Sequence, residues 1–228
     1  MLKQRVITAL ILMALLLPAL AAQALWPFAA LSLLFVSAAG WEWARLNGWP
    51  GARAVLMGLA VAVAGVLAAQ AVHLDPWGLA APGSAPQASA PHVHALGNAL
   101  VGFSVPAVVW WVAGGLWLLG GAWALSVGTR HWKQLPSALR GLLGLGILVM
   151  AWLALTEGKA QGLNFLLSAF CLVWAADIGA YFGGRAFGRR KLAITISPGK
   201  SWEGVWSGML AVLVLAVGWI AFDRHWSV

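Results

Sequence analysis

The chain has 228 residues, 62% of them hydrophobic and only 9% charged, and it carries a formal charge of +8. Charged residues make up about a quarter of an ordinary soluble domain, so a water-soluble globular protein is excluded. A nucleic-acid partner is not expected either, because such a protein gathers its Lys and Arg on a soluble domain and no such domain is visible here.

What remains is an all-α, polytopic helical membrane protein. Its apolar runs are continuous rather than alternating, which argues against a β-barrel. Sixteen tryptophans against one tyrosine fit a chain rich in membrane–water boundaries, where the indole ring is half wet. The single cysteine, Cys171, lies inside an apolar run, so no intrachain disulfide can form.

About 20 apolar residues cross a bilayer. Taken in chain order, seven spans are expected, at roughly 6–22, 25–40, 54–72, 97–127, 138–156, 162–183 and 204–222, in one membrane domain covering 1–228. The first run follows Lys3 and Arg5 and ends near Ala22-Gln23-Ala24, which resembles a signal-peptide cleavage site. Trp26-Pro27-Phe28 leads straight into the second run, so a retained hairpin of two spans is equally natural. The loop from about 73 to 96 is rich in Pro, Ala, Gly and Ser; His73, His92 and His94 there fall short of the four ligands a closed metal site needs. The fourth run is long enough to tilt or to break near Gly114-Gly115.

Charge fixes the expected orientation. With the N-terminus inside and seven alternating spans, twelve of the fourteen Lys and Arg residues fall on the inner side, and only Lys159 and Arg224 fall outside. This is the asymmetry of the positive-inside rule. It puts the N-terminus and the 184–203 loop on the cytoplasmic side.

Acidic residues are few, and five of the six lie at or near expected span ends, where water reaches them. The exception is Asp177, inside the sixth run. A carboxylate at membrane depth costs a few kcal/mol by insertion scales and marks a polar cavity, a functional site, a bond to a neighbouring helix or, here, a pair with Arg185. Asp177, Tyr181 and Arg185 are spaced i, i+4, i+8, so they share one helix face. A cationic stretch follows, Arg185-Ala186-Phe187-Gly188-Arg189-Arg190-Lys191, and then Ile196-Ser197-Pro198-Gly199-Lys200-Ser201-Trp202-Glu203-Gly204. Gly199-Lys200-Ser201 looks like the end of a Walker A loop, but that template needs a glycine where Ile194 stands, and a preceding strand. A helix starting here, with Ser201 as a candidate N-cap and Lys200 beside it, is nonetheless an anion site. Spacing alone leaves two readings open: a metal–nucleotide site, or a basic juxtamembrane cluster that touches anionic lipid.

The stretches 174–181, 184–192 and 196–204, with the N-terminal 1–9 and Trp41-Glu42-Trp43, resemble the bacterial phosphatidate cytidylyltransferase (CDP-diacylglycerol synthase) family along the whole chain. The resemblance implies CMP transfer from CTP to phosphatidate, with Mg²⁺ as cofactor and a homodimer as one candidate assembly. It implies Asp177 as metal ligand and catalytic group with Lys200. Arg185, Lys191, Ser197, Ser201 and Glu203 would bind substrate, Glu203 by orienting Lys200 or a metal-bound water. A related enzyme with another lipid phosphate or polyprenol acceptor, or a lipid or anion transporter, is the alternative. The family's C-terminal signature, with Lys-Asp, His-Gly-Gly and Asp-Arg, does not occur in these 228 residues. Its absence implies that this exact stretch is incomplete at its C-terminus and weakly active or inactive alone.

Overall fold

The computed structural model describes residues 2–78, 104–128, 132, 134–194 and 196–226. Among them are seven helices, one at each expected apolar run: α1 (Leu2–Ala21), α2 (Trp26–Leu46), α3 (Ala52–Ala71), α4 (Ala107–Val127), α5 (Ser137–Ala160), α6 (Leu163–Phe187) and α7 (Trp202–Trp226). A short hairpin, β1 (Lys191–Ala193) and β2 (Ser197–Ser201), joins α6 to α7. Five helices, α3 to α7, are long and apolar enough to cross a membrane by length and composition. The apolar part of α1 is shorter, Val6–Ala21. α2 runs past its apolar stretch to include Glu42 and Arg45, which pair at 3.2 Å. α4 begins at Ala107 and passes through Gly114-Gly115 as unbroken helix; residues 97–103 and the histidines at 92 and 94 lie outside the described residues.

The chain divides into two compact units, 1–114 with 136–166, and 115–135 with 167–228. The first is built on α2, α3 and α5. Lipid tails are as apolar as leucine, so helices in a membrane associate through close packing and interhelical hydrogen bonds rather than burial from water. The sequence supplies glycine notches for large side chains. Val61 is fully buried against Gly40, where a Cβ would come within 2.8 Å of its Cγ2. Trp43 and Trp49 of the α2–α3 corner lie over Gly144 and Gly141 of α5. The Trp43 indole donates to the Arg140 carbonyl at 3.0 Å. Trp152, also fully buried, packs on Gly65 and donates to the Ala29 carbonyl at 3.0 Å.

Trp152 therefore combines packing with a polar tether between α5 and α2. Trp152→Ala will cost about 3–5 kcal/mol, the usual range for a buried aromatic truncated to alanine. The check is thermal unfolding in detergent, with Trp152→Phe expected to recover part of the loss; an unchanged midpoint would contradict the assignment.

Glu157 departs from the sequence-based expectation of a water-reached span end. It is 1% exposed, and its Oε1 accepts the Ser104 N–H at 2.6 Å, so the carboxyl pins the entry to α4 instead of facing solvent. Two residues on, Lys159 Nζ donates to the Leu20 carbonyl at the end of α1, at 2.6 Å.

Candidate active site

The second unit contains α6, the β-hairpin and α7. The two helices pack closely because both facing stripes are small. A Cβ at Gly179 would lie 2.7 Å from the Ala211 Cβ, and one at Gly208 would lie 2.8 Å from the Ala176 carbonyl oxygen. A Cβ at Gly183 would overlap both Cβ and Oγ of Ser207. The Ser207 hydroxyl, in turn, donates back to the Glu203 carbonyl at 2.8 Å.

The polar face of α6 flanks this glycine stripe. Asp177, Tyr181 and Arg185 are all exposed, and Arg185 Nη1 donates to the Tyr181 hydroxyl at 3.2 Å. The shared face read from the i, i+4, i+8 spacing is thus present, but Arg185 binds Tyr181 rather than Asp177. Among the described residues Asp177 makes no hydrogen bond or ion pair. Its carboxylate retains its full acceptor capacity.

After α6 the chain turns through Gly188, Arg189 and Arg190 into β1. Strand β1 pairs antiparallel with β2, Lys191 opposite Ser201 and Ala193 opposite Ser197, with an irregularity between the two pairs. Three residues of β1 thus face five of β2. The surplus lies in Pro198-Gly199-Lys200, all three exposed. Proline lacks a ladder donor and is tolerated in strands at bulges and edges, which explains why a segment reading as a turn can still form a strand. The bulge displays Lys200, and Lys191 is exposed at the start of the facing strand. Ser197 opens β2 and is half-buried.

The hairpin is fastened to α7 by its ends. Ser201 is 4% exposed, and its Oγ accepts the Gly204 N–H at 3.2 Å, the bond of an N-cap. Its hydroxyl lies against Gly184 and Gly188. The Trp202 N–H donates to the Arg190 carbonyl at 2.9 Å. Glu203 closes the arrangement: Oε2 accepts the Arg189 N–H at 3.1 Å and the Arg190 N–H at 3.2 Å, and Oε1 also accepts from Arg190, at 3.2 Å. The expected partners of Glu203 were Lys200 or a metal-bound water; those it has are two backbone amides, reached 13 and 14 residues back along the chain. No spacing rule announces such a bond.

The predicted site residues therefore fall into two groups. Lys191, Ser197, Lys200, Ser201 and Glu203 gather in the hairpin and first turn of α7, with Arg189 and Arg190 added by the structure. Asp177 stands apart: Arg185 lies two turns beyond it, about 12 Å along the α6 axis at 1.5 Å per residue. No cluster of three or more metal-ligating side chains occurs among the described residues. Mg²⁺, however, is commonly held by one or two carboxylates together with substrate phosphates, so an unpartnered Asp177 fits it as one ligand among several.

The cytidylyltransferase family model matches residues 3–226. The chain belongs to the cytidylyltransferase family. It is 36% identical over 211 residues to a protein of Pseudomonas aeruginosa named phosphatidate cytidylyltransferase, a match covering 92% of this chain and 67% of that relative. A Haemophilus influenzae protein of the same name is 44% identical over 128 residues, covering 53% of this chain and 43% of the relative. A Brucella suis protein, again so named, is 34% identical over 120 residues, 51% of this chain and 42% of its own length. No solved structure matches the chain significantly. Membership in this family, with the apolar helices α3 to α7, makes the chain a multi-pass membrane protein of nucleotidyltransferase type.

Proposed function

We propose that this chain carries the CTP-binding and phosphate-positioning part of a phosphatidate cytidylyltransferase, which forms CDP-diacylglycerol and pyrophosphate. The observation that carries the reading is the cationic hairpin fastened onto a capped helix start. Lys191 and Lys200 project from its strands, and Arg189 and Arg190 from the turn that leads into it, beside the first turn of α7. Lone cations at a membrane surface need no such scaffold; a defined polyanion benefits from one, because fixed donors lose little freedom on binding.

The chemistry suits these groups. A phosphatidate oxygen is already anionic near neutral pH, so it attacks the α-phosphorus of CTP without a strong general base. The new P–O bond joins lipid phosphate to CMP, the bond from the α-phosphorus to the α–β bridging oxygen breaks, and pyrophosphate leaves with that electron pair. The protein's task is positioning and neutralisation of charge. Lys200, Lys191 and Arg185 oppose the triphosphate and the charge that grows on the leaving group. Asp177 would hold Mg²⁺ jointly with the phosphates, and the ion would supply charge neutralisation at the reacting phosphorus. Asp177 lies ten residues before the end of α6 at Phe187, nearly three helical turns from the start of the hairpin and about 15 Å along the axis, a gap suited to a bridging ligand rather than a direct contact. We place the hairpin and the N-terminus at the cytoplasmic face of the inner membrane, where CTP is found, on the strength of the Lys and Arg asymmetry.

The test uses the complete reading frame containing these residues, in liposomes with labelled CTP, Mg²⁺ and either phosphatidate or a polyprenyl phosphate. Product with phosphatidate alone is expected. Product only with the polyprenyl phosphate would transfer the reading to the other acceptor class, and no product with either would end it.

A further inference from the structure

We infer that Glu203 is a positioning residue, which locks the Arg189–Arg190 turn onto the first turn of α7 and thereby presents the cationic hairpin to nucleotide phosphates. The inference rests on the nucleotide reading above. Its geometric basis is independent of that reading.

Five cations, Arg185, Arg189, Arg190, Lys191 and Lys200, lie within sixteen residues of sequence. Like charges so close repel and favour an open turn, even with salt screening. A single carboxylate stands against this. Glu203 receives the N–H groups of Arg189 and Arg190 at 3.1 to 3.2 Å, while the Trp202 N–H reaches the Arg190 carbonyl at 2.9 Å. The turn is thus held by its backbone, and both Arg side chains remain exposed for another partner. Lys191 follows directly and is in register with Ser201, so fixing Arg190 also sets which residues of β1 face Lys200 and Ser201. Both Glu203 oxygens are engaged in the lock. Hydrogen bonds to a charged acceptor are among the stronger ones in proteins.

Glu203 makes no contact with reacting atoms in this arrangement. Its loss should loosen CTP capture more than the chemical step and leave the metal requirement alone. The experiment compares the unsubstituted protein with Glu203→Gln, which keeps the shape, and Glu203→Asp, which keeps the charge on a shorter stem. Amide hydrogen exchange is followed over 188–191, alongside KM for CTP, kcat and the Mg²⁺ concentration for half-maximal rate. In Glu203→Gln, exchange at Arg189 and Arg190 should quicken and KM for CTP should rise roughly tenfold, the equivalent of about 1.4 kcal/mol. The fall in kcat should be smaller and the Mg²⁺ midpoint unchanged. Glu203→Asp should lie between the two. Unchanged exchange at the two amides would overturn the inference whatever the activity, and so would a shifted Mg²⁺ midpoint with KM for CTP intact. If the unsubstituted protein fails to turn over CTP, the functional reading falls, while exchange still decides whether the lock exists.

Discussion

Asp177→Asn will lower the rate of CDP-diacylglycerol formation on the order of 10²–10³-fold, the effect typical of losing one preorganised electrostatic group at a reacting centre. Asn keeps the shape and one acceptor oxygen and removes the charge. The described structure gives Asp177 no partner to lose, so its replacement should leave the fold intact. Removing an exposed charge from an apolar helix should, if anything, ease insertion. A normal melting profile with a strongly reduced rate, partly restored by raising Mg²⁺, is therefore the expected combination. The measurement is initial rate against Mg²⁺ concentration, paired with thermal unfolding in detergent. Activity near that of the unsubstituted protein would reduce Asp177 to a helix-surface carboxylate.

Gly183→Leu should act by a different route, through the fold. The glycine faces Ser207 across the α6–α7 seam, and any Cβ there overlaps the Ser207 Cβ as well as its hydroxyl. A rotation of Ser207 moves only the hydroxyl, so the helices must separate. The cost should approach about 3 kcal/mol, the upper end for overpacking a close-packed site. The hairpin spans the ends of these two helices, so the site should open with them and activity should fall together with the melting temperature. A size swap separates this mechanism from a chemical role. Gly183→Ala alone should be destabilised, and Gly183→Ala combined with Ser207→Gly should recover, because the second change empties the space the first one fills. Absence of recovery would place the fault elsewhere than the seam.

The two predictions divide along the line between what the sequence displayed and what it hid. Helices could be read from apolar length alone, and each of the seven helices in the described residues coincides with an expected run. The shared face of Asp177, Tyr181 and Arg185 followed from helical periodicity, and the Arg185–Tyr181 bond realises it. Ser201 as N-cap was visible because capping is local, a side chain bonding a backbone group three residues on. The hairpin was not visible. Pro198 and Gly199 are poor strand residues, and their place in an irregular strand depends on how Lys191–Ala193 lies beside them. The sequence suggests Glu203 as a partner of Lys200 or of a metal-bound water, but not as a lock, because its partners are backbone amides, which carry no side-chain signature. Glu157 was misplaced for a related reason: its partner, the Ser104 N–H, lies 53 residues away. Wherever a residue's role depends on a non-local backbone group, composition and spacing have nothing to report.

CMP, and not a terminal phosphate, should be transferred to a lipid phosphate by the site built on Asp177 and the α6–α7 hairpin. The most direct measurement supplies CTP labelled at the α-phosphate in one reaction and at the γ-phosphate in a parallel one, with phosphatidate liposomes, Mg²⁺ and the full reading frame. α-Label should enter the lipid fraction while γ-label is recovered in soluble pyrophosphate, and Lys200→Ala should depress the transfer of α-label. γ-Label in the lipid, or α-label transfer undiminished by Lys200→Ala, would contradict CMP transfer by this site.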